Sequence, residues 1–263
     1  GHSGTLDPNA QGLMQIMVGN GTKLSKYLVE HDKKYIATMK FGIKTSTADE
    51  EGNIIAEDKF CLIKENETKY NEIFNSFVGK SKQVPPMYSA IKVNGKKLYE
   101  YARENSKELE KIELKERDIE IYSIKIIAIN YEENEIKYEV SCSKGTYIRT
   151  LCEDIAKKLN TYAYMKDLLR TKINEYDIKD SITLEELEKN KNEIEKIESF
   201  INIEKVFKDR GSIELDKRKK ELFLNGVKLT KELDDGIYRI YDENTFIGTG
   251  VIENKLLKRD III

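Results

Sequence analysis

The sequence predicts an α+β fold, a larger mixed domain followed by a small β-rich unit, and three observations carry that expectation. Segments of helical and of strand periodicity alternate from about residue 22 to about residue 199. Past residue 208, turn signals recur about every ten residues with short apolar runs between them, the pattern of a small all-β unit. Hydrophobic residues make up 39% of the 263, enough for a core, although 35% are charged against roughly 25% in an average domain. Disorder is therefore excluded. A chain of this length also buries enough surface to need no metal or disulfide staple.

Thr22 is placed to cap a helix whose Leu24, Tyr27 and Leu28 share one face. Tyr35, Ala37, Met39, Phe41 and Ile43 alternate with Ile36, Thr38 and Lys40, so a strand is expected, with Tyr35 by default a core tyrosine. Tyr70, Ile73, Phe74, Phe77 and Val78 form a helical stripe closed by Gly79. Strands are expected around 119–129 and 135–142. A Lys144-Gly145 turn then leads into a helix with Ile148, Leu151, Cys152, Ile155, Ala156 and Leu159 on one face. Thr183-x-x-Glu186 is a capping box opening a highly charged helix to about residue 199. Asn225-Gly226, between 221–224 and 227–229, signals a hairpin, and Asp235-Gly236 and Glu243-Asn244 continue the turn spacing. The expected domains are 1–207 and 208–263.

Lysine and arginine number 45 against 47 acidic residues, a net charge of -2, which at first argues against a nucleic-acid partner. The balance is uneven. Residues 106–200 carry 17 basic and 22 acidic side chains, whereas 80–103 hold Lys80, Lys82, Lys92, Lys96, Lys97 and Arg103 against Glu100 alone. Tyr88, Tyr99 and Tyr101 are interleaved with that basic excess, and phosphate contacts need local charge rather than a basic whole protein. No apolar run approaches the roughly 20 residues of a membrane helix, and the N-terminus lacks the regions of a signal peptide. Cys61, Cys142 and Cys152 are odd in number with no C-x-x-C spacing, and only His2 and His31 could add to them. Neither a disulfide framework nor a zinc site is expected, and the chain reads as a reduced cytoplasmic protein.

Gly1-His2-Ser3-Gly4-Thr5-Leu6-Asp7-Pro8 is the densest cluster of special residues, and taken alone it reads as a loop. Lys144-Gly145-Thr146-Tyr147-Ile148-Arg149-Thr150 sits at a strand-to-helix junction, where backbone N–H groups suit anions. Alone it reads as a turn with a solvated arginine. Gly19-x-Gly21-Thr22-Lys23 has the wrong order for a phosphate-binding loop.

Together and in order the segments say more. GHSGTLDPNAQG, KYIATMKFGIKTSTADEEG, QVPPMYSAIKVNGKKLYEYAR and CSKGTYIRTLCEDI closely resemble the TruB family of bacterial tRNA pseudouridine synthases over residues 1–176. A weaker similarity follows to the PUA-like RNA-binding domain of its bacterial members. The resemblance implies a mixed, largely antiparallel sheet flanked by helices, with a small β-rich domain after it. It also implies isomerisation of the T-loop uridine of tRNA that becomes the Ψ of TΨC. The base is extruded, its N1 glycosidic bond is cleaved and a C5 bond replaces it, with no cofactor and no metal. The implied partner is the T-arm hairpin, bound by a monomer with no membrane and no obligatory protein partner.

Asp7 matches the family's catalytic aspartate, acting as a nucleophile on the sugar or pyrimidine or as a base at the sugar C2′. Arg149 matches the arginine that pairs with it and keeps it charged. Tyr35 matches a tyrosine that stacks on the target base, and Tyr147 and Leu168 match residues lining the pocket around it. His2 matches a histidine that helps hold the opened T loop, and Asp49 a further acid without an assigned role. Lys92, Lys96, Lys97 and Arg103 fall in a segment that closes over the RNA in the family, where lysines suit phosphates and tyrosines packing. Lys217-Arg218-Lys219-Lys220 reads equally as an RNA contact or as solvated surface.

The chain departs from the family in two places. Members carry a Lys-Pro-x-Gly-x-(Thr/Ser)-Ser motif and a first core strand ahead of the catalytic loop, whereas this sequence opens at that loop. An exposed sheet edge, with aggregation and lost activity, is the corresponding expectation. Leu169 stands where arginine is commoner, which puts one RNA or structural contact in doubt. The alternative of a different class is an RNA-binding or tRNA-folding module that needs no catalysis. A guide-RNA-dependent member of the superfamily is disfavoured by the compact C-terminal unit.

Overall fold

The computed structural model describes residues 1–29, 31–89, 91–93, 95–103 and 114–263, the side chains of Tyr99 and Arg103 excepted. Along the chain run β1 (Gln11–Gly12), α1 (Ser25–Leu28), β2 (Lys33–Phe41), β3 (Ile43–Thr45), β4 (Ile54–Glu57), α2 (Glu67–Asn75), β5 (Gly79–Gln83), β6 (Lys92–Val93), β7 (Lys96–Lys97) and α3 (Leu98–Arg103). There follow β8 (Arg117–Asn130), β9 (Glu135–Cys142), α4 (Ile148–Lys158), β10 (Ala163–Ile173), β11 (Tyr176–Asp177), α5 (Leu184–Lys189) and α6 (Ile203–Val206). The chain ends with β12 (Ser212–Glu214), α7 (Lys217–Leu224), β13 (Leu229–Thr230), β14 (Gly236–Asp242), β15 (Thr245–Glu253) and β16 (Leu256–Ile262). Two compact units result. One comprises Leu6–Leu13 and Glu30–Lys179, the other Gly1–Thr5, Met14–Val29 and Asp180–Ile263.

The first unit is built on a sheet of order β1-β10-β2-β9-β8-β5, with β11 beside β10. Every pairing is antiparallel except β1 with β10, giving the mixed, largely antiparallel sheet expected. Alternation along β2 turns Tyr35, Ala37, Met39 and Phe41 to the buried side, as period two requires. They share one core with Phe74 of α2 and with Leu151 and Ile155 of α4. Phe74 meets Tyr138 of β9 edge-on at 5.2 Å between ring centres. The apolar stripe read from the sequence is therefore the face by which α4 packs on the sheet.

The second unit carries a five-stranded sheet, β12-β14-β15-β16-β13, around Ile213, Leu215, Phe223, Ile240, Ile252 and Leu257. Glu243-Asn244 makes the expected turn, both residues left-handed (φ 46° and 67°), which matches the twist of the strands it joins. Three local expectations fail here. Asn225-Gly226 closes a helix rather than a hairpin: Asp216 caps α7 by accepting from the Lys219 N–H, and Gly226 (φ 85°) follows its end. Phe223, wholly buried, supplies the helical contact that outweighs the hairpin signal. The capping box at Thr183 is present, but α5 stops at Lys189 because it buries none of its residues. Thr22 lies inside a tight turn of 3-10 helix and its hydroxyl donates to the Gly19 carbonyl (2.8 Å), so it does not cap. Leu24, Tyr27 and Leu28 still pack together, against Met17, Phe207 and Ile261.

No helix among the described residues is long and apolar enough to cross a membrane. Cys61, Cys142 and Cys152 are all free thiols.

Candidate active site

Four pieces of the first unit converge on one guanidinium. Asp7 lies in the loop before β1, where the Ala10 N–H donates to its carbonyl (2.9 Å). The strand that follows is held very close to β10. A Cβ on Gly12 (φ 112°) would stand 2.3 Å from the Arg170 carbonyl oxygen, so this approach requires glycine. Arg149 projects from the first turn of α4. A tight turn at 45–52 supplies Asp49, pinned to β10 by the Met165 N–H donating to the Ala48 carbonyl (3.0 Å). Ala48 is left-handed (φ 61°), a conformation costing of order 1 kcal/mol that the surrounding bonds must hold. The Thr45 hydroxyl donates to the Asp49 carbonyl (2.6 Å), and the Asp49 carboxylate accepts from Thr47 and from the Glu51 N–H.

Arg149 grips Asp7 at two points, a hydrogen bond from Nη2 to Oδ1 and an ion-pair contact of Nε with Oδ2, both at 3.0 Å. Its remaining donors go to Asp49 Oδ2 (3.3 Å), the Thr47 carbonyl (3.2 Å) and the Tyr88 carbonyl (2.8 Å). The two terminal nitrogens make four hydrogen bonds, and Nε faces Asp7 as an ion pair. A side chain only 6% exposed can remain charged on those terms, and it cannot swing without breaking several charge-assisted bonds. One cation thus serves two carboxylates. Burial raises the Asp7 pKa above the ordinary carboxylate value; Arg149 opposes that shift and the charge of Asp49 adds to it. The result is a carboxylate that is fixed, one-third exposed and more basic than a free one.

Asp7, Asp49 and Leu168 also line one cleft, with Pro8, Met165 and Lys166 among its other walls. β10 has register breaks on both sides of Leu168, between Met165 and Asp167 and between Arg170 and Lys172. Such bulges turn side chains that a regular strand would point elsewhere. Tyr35 sits opposite Arg170 on β2. Burial pushes its phenol up to about 12, with an opposing hydrogen bond from Arg170 and a small contribution from Asp7. It is thus the core tyrosine of the strand pattern, close enough to Asp7 to feel its charge. Tyr147 is the residue before α4, its backbone N–H donating to Gln83 Oε1 (2.8 Å).

The other expected residues make none of these bonds. His2 belongs to the second unit, where it is exposed and forms an isolated bridge with Ile16. Lys92 pairs with Lys97 across the short β6–β7 ladder, and Lys96 lies over the Tyr101 ring at 4.9 Å. Tyr101 is buried, donating to the Val93 carbonyl (3.2 Å), so it packs the segment rather than facing outward. The side chain of Arg103 lies outside the described residues. Lys217 to Lys220 lie on α7, with Lys219 paired to Asp216 and Lys220 to Asp242. Sequence reasoning did not single out Gln83, Thr47 or Arg170. Arg170 is 1% exposed and donates from Nε to the Leu13 carbonyl (2.7 Å), tying β10 to the end of the Asp7 loop.

A family model described as TruB family pseudouridylate synthase (N terminal domain) matches residues 1–148. The chain belongs to the TruB family. A second model, described as the tRNA pseudouridylate synthase B C-terminal domain, matches residues 149–208. Similar TruB proteins include the tRNA pseudouridine synthase B of Caldanaerobacter subterraneus subsp. tengcongensis, 37% identical over 98% of this chain and 87% of that protein. The protein of the same name from Francisella tularensis subsp. holarctica is 40% identical over all of this chain and 87% of its own length. The fold is also that of a solved chain from the crystal structure of a Cbf5-Nop10-Gar1 complex. The TM-score is 0.64 at 19% identity, over all of this chain and 75% of that one.

Proposed function

We propose that the protein is a tRNA pseudouridine synthase that isomerises the T-loop uridine. The observation that carries this reading is the two-point Asp7–Arg149 ion pair at the cleft of a TruB-family chain. The reaction breaks the N1–C1′ bond and forms C5–C1′. The proton lost at C5 is balanced by one gained at N1, so no electrons or atoms are exchanged with a cofactor. Asp7 is the catalytic group, either nucleophile or C2′ base; in each role it must be ionised yet basic, as its raised pKa provides. Arg149 keeps it aimed and charged. Tyr35, Tyr147 and Leu168 receive the flipped base, and His2 supports the opened loop. Residues 208–263 act as the PUA-like RNA-binding domain, and the enzyme works in the cytoplasm as a monomer without an obligatory protein partner.

The test is to incubate an unmodified T-arm hairpin with the full chain and with Asp7→Asn, then map pseudouridine chemically. Conversion by the first and none by the second is expected. Binding of the hairpin by the folded wild-type chain with no product would leave an RNA-binding module instead. Lys92, Lys96, Lys97 and Arg103 act in this reading as phosphate contacts. Replacing the three lysines by glutamine weakens hairpin binding and flattens its salt dependence by about one unit of log–log slope for each phosphate left without its lysine. An unchanged slope removes that segment from the interface.

A further inference from the structure

We propose that Gln83 is a positioning residue for this reaction, its side-chain amide fixing the backbone of Tyr147 and so the turn from which Arg149 reaches Asp7. The inference rests on the function proposed above. Gln83 ends β5, a strand whose preceding three residues are exposed, yet it is itself only 4% exposed. Both ends of its amide are used on one residue. Oε1 accepts from the Tyr147 N–H (2.8 Å) and Nε2 donates to the Tyr147 carbonyl (3.0 Å). Tyr147 is the residue before α4, its backbone is extended (φ -95°, ψ 112°) and no side chain of its own caps the helix. The orientation of that first turn is therefore set by Gln83 from outside the helix. Arg149 follows two residues later.

The same segment takes hold a second time. Tyr88, five residues after Gln83, accepts through its carbonyl from Arg149 Nη2 at 2.8 Å. Between the two grips stand Pro85 and Pro86, whose rings fix φ and reduce the freedom of the segment. Residues 83–88 thus form a strap holding the α4 turn by its backbone at one end and the guanidinium at the other. A buried glutamine that merely filled space would not place both amide atoms on the two polar groups of a single peptide residue.

The charged groups around Asp7 are Arg149 from α4 and Asp49 from the 45–52 turn, with the Tyr35 phenol on β2 and Glu50, Glu51 and Lys166 in the cleft walls. Of these, Arg149 pulls the Asp7 pKa down against burial, so a loosened Arg149 lets it rise. Misplacement by about 1 Å costs about a hundredfold in rate. The experiment uses the full chain, Gln83→Met, which keeps length without the amide, and Phe77→Leu, a core-thinning control beside Lys158 at the opposite end of α4 from Tyr147. Three quantities are read: amide exchange at Tyr147, single-turnover conversion of the T-arm hairpin against pH, and hairpin Kd. In Gln83→Met the Tyr147 amide exchanges at least about tenfold faster and conversion falls by about ten- to a hundredfold at unchanged Kd. The acid limb of its pH profile moves up, and the control shows none of these changes. The proposal is overturned by unchanged exchange, by an equal rate loss in the control, or by a rate loss with the acid limb in place. A wild-type chain that converts nothing would sink the functional reading instead, while exchange still decides whether Gln83 holds the turn.

Discussion

Two aspartates, one in each compact unit, show what distinguishes a carboxylate that holds a fold from the one proposed to react. Asp260 of β16 accepts from Lys26, from the Tyr27 hydroxyl (2.6 Å) and from the Thr249 hydroxyl (2.9 Å). Burial alone would raise its pKa, but those three donors together hold it below the usual carboxylate value. Asp7 has the opposite balance. Its single cation is shared with Asp49, and burial with that second negative charge leaves its pKa raised. Asp260, with a side chain 6% exposed, has its ionised form satisfied at the expense of freedom; Asp7, 34% exposed, keeps an edge open to the cleft. Ionised Asp260 stabilises its unit, whereas ionised Asp7 costs its unit stability in return for basicity.

The largest expected effect lies on the Asp7 side. Arg149→Lys keeps the charge but cannot bond both Asp7 oxygens, Asp49 and two carbonyls at once, so T-arm conversion falls by at least about a hundredfold. Retention of more than a tenth of the rate would show that the shared geometry is not what matters. Next comes Asp260→Ala, which strips three donors of their acceptor. Discounting the half-exposed Lys26, the expected loss is about 2 kcal/mol, read as a Tm lower by roughly 4–8 °C. A smaller effect separates the two aspartates by sign. The Asp260 contribution is present above its unfolded pKa and is lost as pH falls through its lower folded pKa, so the Tm deficit of Asp260→Asn shrinks in acid. The Asp7 contribution is greatest below its unfolded pKa and is lost as pH rises through its higher folded pKa. Asp7→Asn therefore gains Tm relative to wild type as pH rises across that window. Parallel trends in the two variants would erase the distinction.

The same contrast explains what the sequence could reveal. The alternation in β2 and the stripe of α4 are local periodicities, and both elements form where the periodicity places them. Asp7 and Arg149 were legible only through ordered motifs, since 142 residues separate them and no spacing rule joins them. Gln83 opens one of those motifs, but its role was not legible, because a glutamine ending an exposed strand gives no sign that its amide is buried on a distant backbone. Asn225-Gly226 misled because the same φ > 0 residue that makes a hairpin turn also ends a helix, and the choice fell to the burial of Phe223. α5 ended early for the converse reason: the capping box was present but no buried face followed it.

In the proposed function Asp7 works as a carboxylate whose basicity is raised by its surroundings and tuned by the cation it shares with Asp49. The measurement that tests it most directly is the pH dependence of single-turnover T-arm conversion in the wild-type chain and in Asp49→Asn. The expected wild-type acid limb lies above that of an ordinary aspartate and moves to lower pH when the Asp49 charge is removed. A limb at the ordinary value, or one unmoved by Asp49→Asn, would contradict it.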